Sequence, residues 1–356
     1  MLLNYLDILK GVENMSKSLL GIIDATNSFE SLDILTKSRN VAALPIAGRF
    51  RLVDFILSSM VNSGISNVAV YPQAHFRSLM DHLGTGKNWD LNRKRDGLFF
   101  LPVPHTEDVQ GEVHSFGHFA YHMTYLERSK QEYAIVANSQ TVCNIDFTEV
   151  LNYHVQNRCD ITEIKKNNES LEMFILKKEL LVKLIEERKQ TGYTCLKDVV
   201  EDHYSDFTNC VYPYDGYLAN INSINAYFQT SMDLLKEENW SQLFMKESPI
   251  FTKVKDEPPS KYSEASNVSQ SMVANGSIIK GEVEHSIIFR AVNIEEGTSI
   301  KNSIVMQKTK IGKNCKLDYV ILDKDVEIAD GTVLIGSPFQ PIVIQKGVKQ
   351  GELMNS

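Results

Sequence analysis

The sequence predicts an α/β domain with a mostly parallel sheet, followed by a β-helix domain. Three observations carry this prediction: strands and helices alternate through the first two thirds of the chain, aliphatic residues repeat every 17 positions between Val283 and Leu334, and a mixed-charge stretch with three prolines separates these regions. We therefore expect the α/β domain at 1–247, a linker at 248–265, and the β-helix with a C-terminal tail at 266–356.

The α/β domain is predicted from short apolar runs that alternate with amphipathic segments. The Asn167-Asn168 pair predicts a turn that joins two of the strands in a hairpin. Strands are expected at 18–24, 67–71, 132–137, 160–165 and 171–176, and helices at 50–62, 75–82, 146–156 and 177–188. Such alternation is typical of a parallel sheet covered by helices.

The repeat in the last third has steps of 5, 6 and 6 residues, which fit neither a helix nor an ordinary strand. A coil with three short sides explains it, because each side turns one aliphatic residue inward. The positions in this register are Val283, Ile288, Ile294, Ile300, Val305, Ile311, Leu317, Leu322, Ile328 and Leu334. A β-sandwich with coincidental spacing is the alternative. Pro338 and Pro341 are expected to end the stack, because proline donates no ladder hydrogen bond.

Composition excludes several classes of protein. Apolar residues make up 43% and charged residues 23%, a globular balance, and the net charge of -8 argues against a nucleic-acid surface. The apolar start is too short and too polar for a signal peptide or a membrane span, and either Met1 or Met15 fits as the start residue. The five cysteines form no CxxC pair, which predicts reduced thiols in a cytoplasmic protein rather than disulfides or a zinc site.

Four stretches carry a resemblance to a known family. Residues 47–55 (A-G-R-F-R-L-V-D-F), 57–59 (L-S-S) and 62–65 (N-S-G-I) are similar to a continuous stretch of glucose-1-phosphate adenylyltransferase, the enzyme that makes ADP-glucose and pyrophosphate from ATP and glucose-1-phosphate. Residues 86–91 (G-K-N-W-D-L) resemble a segment of that family's D-type subunits. The resemblance implies a Rossmann-like nucleotidyltransferase domain, a left-handed β-helix, and a place in glycogen biosynthesis.

The family's phosphate-binding loop is not preserved here. The family has a glycine-rich loop with an arginine after its first strand, because glycine lets backbone N–H groups approach phosphates closely. The matching residues, 25–32 (A-T-N-S-F-E-S-L), contain neither glycine nor arginine, and Glu30 would repel phosphate. An ordinary connection is the better interpretation of this loop.

The family's two metal-binding aspartates are also replaced. Ser139 stands at one position, after the strand at 132–137, and Asn220 stands at the other. A hydroxyl and a neutral amide are poor ligands for Mg²⁺ compared with two carboxylates. The sequence therefore predicts no catalytic residues, no metal and no cofactor for this chain, and little or no activity by the chain alone.

The sugar-phosphate and activator regions depart from the family as well. The segment that carries the family's sugar-phosphate lysine is absent, because 160–176 is a bare hairpin. The activator stretch keeps Arg39 but has Val41 in place of a lysine. Arg39, Arg49 and Arg51 are the possible contacts to an anion.

The leading hypothesis is a regulatory subunit that pairs with a catalytic adenylyltransferase subunit, which would hold Mg²⁺ and ATP. A hetero-oligomer (a tetramer) or a homo-oligomer is expected, with neither nucleic acid nor membrane as a partner. One alternative is an active nucleotidyltransferase in which Asp24 or Asp146 binds the metal. Another is a β-helix acyltransferase that uses His285, the histidine near the coils.

Two further motifs have simple interpretations. His114, His118 and His122 have helical spacing that would suit zinc, but no carboxylate or cysteine is spaced to complete the set, so packing or pocket lining is favoured. The basic run at 92–96 (N-R-K-R-D) is expected to be a solvated loop, with an anion or subunit contact as the alternative.

Overall fold

The computed structural model describes residues 18–73, 75–103 and 114–350. The α/β domain contains eleven of the described strands. They are β1 (Leu19–Ala25), β2 (Pro45–Ile46), β3 (Phe50–Arg51), β4 (Asn67–Pro72), β5 (Gly97–Phe100), β6 (Tyr133–Asn138), β7 (Thr141–Val142), β8 (Ile161–Lys166), β9 (Glu169–Lys177), β10 (Asn209–Pro213) and β11 (Ala219–Asn220).

Seven of these strands form one sheet in the order β10-β8-β9-β6-β1-β4-β5. Only β9 runs antiparallel to its neighbours, so the prediction of a mostly parallel sheet is confirmed. β1 lies inside the sheet, between β6 and β4, and all seven of its residues are buried because helices cover both faces of the sheet.

The helices of the α/β domain lie close to the predicted positions. They are α1 (Asp33–Thr36), α2 (Leu52–Asn62), α3 (Arg77–Leu83), α4 (Ser115–Tyr121), α5 (Met123–Arg128), α6 (Phe147–Gln156), α7 (Lys178–Thr191), α8 (Leu196–Glu201), α9 (Ile224–Asp233) and α10 (Glu237–Leu243). Helix α6 begins after Asp146, whose side chain accepts a hydrogen bond from the Thr148 N–H at 2.8 Å and caps the helix.

The predicted hairpin is formed by β8 and β9. Asn167 and Asn168 join them, with φ values of 49° and 66°. Two consecutive residues with positive φ make the turn that suits the twist of a two-residue hairpin, and asparagine tolerates this conformation better than most residues do. The turn predicted from the Asn-Asn pair is therefore confirmed.

The C-terminal domain is a coil of short parallel strands in three sheets. Its strands are β12 (Lys261–Tyr262), β13 (Asn267–Ser269), β14 (Met272–Val273), β15 (Ile278–Ile279), β16 (Glu282–Glu284), β17 (Ile287–Ile288), β18 (Asn293–Ile294), β19 (Ser299–Lys301), β20 (Ile304–Val305), β21 (Lys310–Ile311), β22 (Lys316–Asp318), β23 (Val320–Leu322), β24 (Glu327–Ile328), β25 (Val333–Ile335), β26 (Ile342–Ile344) and β27 (Lys349–Gln350). Every third strand stacks in one sheet.

The predicted register of inward residues is confirmed. Val283 pairs with Ile300, Ile300 with Leu317, and Leu317 with Leu334, each in a parallel ladder. Nine of the ten predicted positions are buried, and Leu334, near the end of the coil, packs against the same core as a partly buried residue. At one corner Gly297 has φ of 73°, a conformation that other residues rarely adopt.

The limits of the β-helix differ from the expectation at both ends. β12 already pairs with β15, so the first strand of the coil lies inside the segment expected to be linker. The prediction that Pro338 and Pro341 end the stack is wrong, because β26 pairs with β23 and β27 with β24. Both prolines lie in a loop between β25 and β26, where no ladder hydrogen bond needs their nitrogen.

The two domains share one apolar cluster and one buried ion pair. Arg39 donates two hydrogen bonds of 2.8 Å to the two carboxylate oxygens of Asp323, and both side chains are 2% exposed. The residues of the shared cluster include Val41, Leu44 and Phe228 from the α/β domain and Ile287, Phe289, Ile304 and Ile321 from the β-helix. The β-helix is therefore docked on the α/β domain through a buried, mostly apolar contact.

The prediction that all cysteines are free thiols is wrong. Cys159 and Cys210 form a disulfide, while Cys143, Cys195 and Cys315 are free. The bonded residues are 51 positions apart in sequence, and they meet because β8 and β10 are neighbours in the sheet. Over the described part of the chain, no helix is long and apolar enough to cross a membrane.

Candidate functional site

A small cavity lies where β1 and β6 end, at the edge of the sheet where α/β proteins of this kind bind ligands. Asp24 of β1 pairs with Asn138 of β6 at this edge. The cavity has a volume of about 130 Å³. It is lined by Asp24, Asn27, Ser115, Phe119, Val136, Asn138, Glu172, Phe174, Cys195, Leu196 and Lys197.

Asp24 supplies a carboxylate to this cavity, and its oxygens already have protein partners. The Ser115 hydroxyl donates to Oδ2, while the Thr26 N–H and hydroxyl donate to Oδ1 at 3.0 and 2.7 Å. Because Asp24 is 8% exposed, these hydrogen bonds replace the water it would otherwise bind. Its carboxylate is thereby oriented by the chain itself.

The loop after β1 is shaped by side chains and not by glycine. Its first residue, Thr26, turns back to Asp24, and the Ser31 hydroxyl donates to the Asn222 carbonyl at 2.6 Å. A 3₁₀ turn at Glu30–Leu32 then leads directly into α1. A phosphate cradle needs successive backbone N–H groups that face the ligand, and side chains occupy this loop instead. The arrangement supports its interpretation as an ordinary connection.

The structure brings the two expected metal positions, Ser139 and Asn220, into one neighbourhood. β11 pairs antiparallel with β7, so that Asn220 lies opposite Thr141, two residues after Ser139. The chain turns between β6 and β7 because the Asn138 side chain accepts hydrogen bonds from the Gln140 and Thr141 N–H groups, at 3.2 and 3.0 Å.

These residues do not fit a Mg²⁺ site. Ser139 offers a hydroxyl and Asn220 an amide, whereas Mg²⁺ favours carboxylates. Asp24 is held by Ser115 and Thr26. In the described ranges, no group of three or more histidine, cysteine, aspartate or glutamate side chains is placed to hold a metal ion.

One side of the cavity is closed by an ion pair. Glu172 belongs to β9 and Lys197 to α8, and their Oε1 and Nζ atoms are 3.4 Å apart. Attraction to Glu172 raises the pKa of Lys197, so the ammonium stays charged at neutral pH. The β8–β9 hairpin and α8 therefore close this side of the cavity.

The remaining expected ligands do not converge. Asp146 caps α6, as described above. His114 accepts from the Gly117 N–H at 3.2 Å, the His122 Nε2 lies 3.0 Å from the Pro102 carbonyl, and α4 ends before His122. The spacing that would suit zinc therefore does not continue along a single helix.

The last two sequence motifs, His285 and the basic run at 92–96, make contacts with nearby residues or with solvent. In the β-helix, His285 Nδ1 lies 2.9 Å from Asn302 Oδ1 of the next coil. Residues 92–96 are all exposed in a loop, which supports their interpretation as a solvated run.

The three arginines expected at an anion site have different surroundings. Arg39 is engaged by Asp323, which differs from the expectation of an anion contact because a carboxylate of the chain already occupies its guanidinium. Arg51 donates to the Ala43 carbonyl at 3.0 Å and to the Ser78 hydroxyl at 2.8 Å, and burial lowers its pKa to about 10. Arg49 stacks on Phe50, with its guanidinium carbon 5.4 Å from the ring centre.

Arg49 also lines a second cavity of about 470 Å³ at the junction of the domains. Lys253, Lys255 and Arg290 line the same cavity, together with Asp256 and Glu257. Burial lowers the pKa of Lys255, and neighbouring cations, Arg290 first among them, lower it further. Of the three arginines expected at an anion site, Arg49 is the one that lines this cavity.

Sequence reasoning missed Ser115, Lys197 and Asp323. Ser115 and Lys197 reach the cavity from α4 and α8, and no motif connects them with Asp24. Asp323 lies 284 residues after Arg39, the residue that it binds. Only the packing of distant elements brings these pairs together, so no local signal in the sequence identifies them.

Two family profiles match the chain. The nucleotidyl transferase family matches residues 31–215, and the GlmU-like C-terminal hexapeptide family matches residues 258–339. The first covers the strands of the main sheet other than β1, and the second covers most of the coil. Together they agree with the fold described above, a nucleotidyl transferase domain followed by a hexapeptide-repeat β-helix.

Several curated proteins are similar over nearly the whole chain. Glycogen biosynthesis protein GlgD of Geobacillus stearothermophilus is 52% identical over 96% of this chain and 100% of its own length. GlgD of Bacillus subtilis (strain 168) is 49% identical over 96% of this chain and 99% of its own length. Glucose-1-phosphate adenylyltransferase of Bacillus mycoides is 28% identical over 85% of this chain and 91% of its own length. This chain therefore belongs to the nucleotidyl transferase family and, within it, to the group of the glycogen biosynthesis protein GlgD.

Proposed function

We propose that this chain is a regulatory, catalytically impaired subunit of ADP-glucose pyrophosphorylase in glycogen biosynthesis, and that it acts in the cytoplasm. One observation carries the proposal: the chain keeps the nucleotidyl transferase fold but has Ser139 and Asn220 at the two positions that resemble the family's metal-binding aspartates. The two positions thus lack the carboxylates that would hold the divalent cation.

The size of this loss follows from the role of the cation. A divalent cation neutralises charge as a phosphoryl group is attacked and is worth several kcal/mol. At about 1.4 kcal/mol per tenfold in rate, its loss lowers turnover on the order of a thousandfold or more. The absence of glycine from the loop after β1 removes a second source of charge stabilisation, because backbone N–H groups no longer face phosphates.

An active enzyme with relocated ligands is less well supported. Asp24 would have to give up its hydrogen bonds from Ser115 and Thr26 before it could bind a metal. Asp146 caps a helix and does not line the edge cavity. The arrangement of the site therefore favours a non-catalytic subunit, which acts through contacts with other chains, over an active enzyme.

The partner in this proposal is a catalytic glucose-1-phosphate adenylyltransferase subunit, on which ATP and Mg²⁺ bind. The two chains form a mixed oligomer, a tetramer in the simplest arrangement. This chain shifts its partner by binding one conformation better than another. Coupling between sites in proteins is typically 1–3 kcal/mol, so a change of roughly 5- to 150-fold in the partner's apparent affinity is the expected scale.

The cavity at the domain junction is the proposed place for a phosphorylated effector. Arg49, Lys253, Lys255 and Arg290 supply four cations there. Guanidinium groups bind phosphate through paired hydrogen bonds, which favours Arg49 and Arg290 as the principal contacts. Arg51, which the protein already holds through Ala43 and Ser78, contributes charge.

The test is co-expression with a catalytic adenylyltransferase chain from the same cell. Native mass spectrometry reports whether mixed oligomers form, and kinetics report ADP-glucose formation per catalytic chain. We expect mixed species, a partner affinity changed several-fold, and negligible turnover by this chain alone with Mg²⁺.

A double variant tests whether the two metal positions alone account for the lost activity. Ser139→Asp/Asn220→Asp places carboxylates at both metal positions, and we expect the isolated variant to remain inactive because the loop after β1 still lacks its phosphate cradle. Turnover by the unaltered chain within about tenfold of an ordinary nucleotidyl transferase would contradict the impaired-subunit proposal. Unchanged partner kinetics with no mixed species would contradict the regulatory role.

A further inference from the structure

The disulfide between Cys159 and Cys210 joins the edge of the main sheet to the strand beside it. Cys159 lies two residues before the start of β8, and Cys210 is the second residue of β10, the last strand on that side. Their Cα atoms are 5.9 Å apart, a usual separation for a bonded pair. The bond closes a loop between residues 51 positions apart.

This loop contains the elements that close the edge cavity from one side. The β8–β9 hairpin carries Glu172, and α8 carries Lys197, the two residues of the ion pair beside Asp24. Beyond the loop, the chain runs from β10 through Tyr214 to β11, where Asn220 lies. The disulfide therefore fixes both ends of segment 159–210, which closes one side of the edge cavity.

β10 has few other attachments. It pairs with β8 alone, as the edge strand of the sheet, and its residues alternate between exposed and half-buried. Across the strand, the Tyr212 hydroxyl reaches Glu149 at 3.4 Å, and at its start the Thr208 N–H donates to Asp160 at 2.9 Å. A short edge strand with little buried apolar area opens locally at a low free-energy cost.

The two sulfurs of the disulfide differ in accessibility. Cys210 is half-buried on the edge strand, where a reagent can approach its sulfur, whereas Cys159 is buried, as are the free Cys143 and Cys315. Burial raises the pKa of the Cys143 thiol to about 12 and also raises that of Cys195, so neither forms thiolate readily at neutral pH. Thiol exchange is therefore favoured at the Cys159–Cys210 pair.

We propose that Cys159 and Cys210 form a reversible redox site that sets the mobility of β10 and of the segment over the edge cavity. The co-reactant is a dithiol, either a small molecule or a protein of the thioredoxin class. One thiolate of the dithiol attacks the Cys210 sulfur and releases Cys159 as a thiolate, which takes up a proton. The second thiol of the dithiol then displaces Cys210 and loses its proton to it, so two protein thiols and one oxidised dithiol result.

The experiment uses the full chain in buffers of reduced and oxidised dithiothreitol. After alkylation with N-ethylmaleimide, peptide mass spectrometry reports the state of each cysteine. We expect Cys159 and Cys210 to be unlabelled in the oxidised buffer and to become labelled together on reduction. Cys195→Ser, which removes the half-buried free thiol, leaves this transition intact, and Cys210→Ser abolishes it.

Hydrogen exchange then tests the structural consequence. We expect amides of β10 to exchange at least about tenfold faster after reduction, while amides of β1 keep their rates. The Cys159→Ser/Cys210→Ser variant is expected to show the fast exchange in both buffers, which would separate the bond from any other effect of the reductant.

Two results would overturn the proposal. One is labelling of both cysteines in the oxidised buffer, or of neither after reduction. The other is a redox transition that leaves the exchange of β10 unchanged. Neither result depends on a catalytic partner, so the outcome is separate from that of the proposed regulatory function.

Discussion

Replacing Asp323 by asparagine removes the carboxylate that faces Arg39 across the domain junction. Both side chains are 2% exposed, and the guanidinium donates to both carboxylate oxygens at 2.8 Å. Asparagine has nearly the same shape and can still accept the hydrogen bond that the Lys324 N–H donates to Oδ1. The substitution thus removes the negative charge and, because an amide NH2 replaces one carboxylate oxygen, also removes one acceptor for the Arg39 guanidinium.

The expected cost is large because Arg39 would stay buried with no counter-charge. Removing one partner of a buried ion pair costs about 3–5 kcal/mol of the free energy of unfolding. Removing both partners costs much less, because apolar side chains of similar volume bring no desolvation penalty. We therefore expect Arg39→Met/Asp323→Leu to regain most of the stability that Asp323→Asn loses.

Urea denaturation followed by two probes measures this effect. Both tryptophans, Trp89 and Trp240, lie in the α/β domain, so fluorescence reports that domain, while far-UV circular dichroism reports both domains. We expect the fluorescence and circular dichroism transitions to coincide for the unaltered chain. For Asp323→Asn we expect them to separate, because the ion pair couples the two domains.

Glu327→Gln is the matched control. Glu327 pairs with Lys310 and Lys349 at 3.1 and 3.0 Å on the surface of the β-helix, where water screens the charges. We expect no measurable change in its transitions. If Asp323→Asn behaves like Glu327→Gln, with an unchanged midpoint and coincident probes, the ion pair is not desolvated and the reasoning is refuted.

Three further predictions concern single residues. Ile311→Asp places a charge inside the coil, where Ile311 is 1% exposed, and should abolish the thermal transition of the β-helix; Lys310→Asp, at an exposed position of the same strand, should keep it. Burial and neighbouring arginines lower the pKa of Lys324 from 10.5 to about 7. Between these two pKa values Lys324 carries its proton in the unfolded chain but not in the folded one, so the free energy of unfolding should rise with pH across that window. In Lys324→Met, the free energy of unfolding measured by urea denaturation should differ less between about pH 7 and about pH 9 than it does in the unaltered chain. Cys143, whose pKa burial raises to about 12, should resist alkylation at neutral pH until the chain is unfolded.

Local patterns were sufficient to predict the β-helix and most of the sheet. The 5-6-6 spacing identified Ile300 and Leu317 as inward residues because each short side of the coil turns one side chain to the core. The Asn167-Asn168 pair identified the hairpin because its turn requires positive φ at two consecutive residues. Both inferences depend on neighbours in sequence, which a pattern reports directly.

The prolines of the 337–341 loop show where local rules fail. Proline opposes a ladder hydrogen bond at its own nitrogen, but the chain can leave the coil, make a loop and rejoin the stack, as it does before β26. Whether a proline ends a domain depends on which residues come back to the ladder, and that depends on pairing with a distant strand.

Some features of the candidate site could be predicted from the sequence, and others could not. The sequence alone identified Ser139 and Asn220 as neutral replacements, since their positions follow from motifs along the chain. Only the tertiary structure revealed that Ser115 engages Asp24 and that Cys159 bonds Cys210. The order of strands in the sheet and the docking of the helices decide such contacts, because they bring together residues that no spacing in the sequence relates.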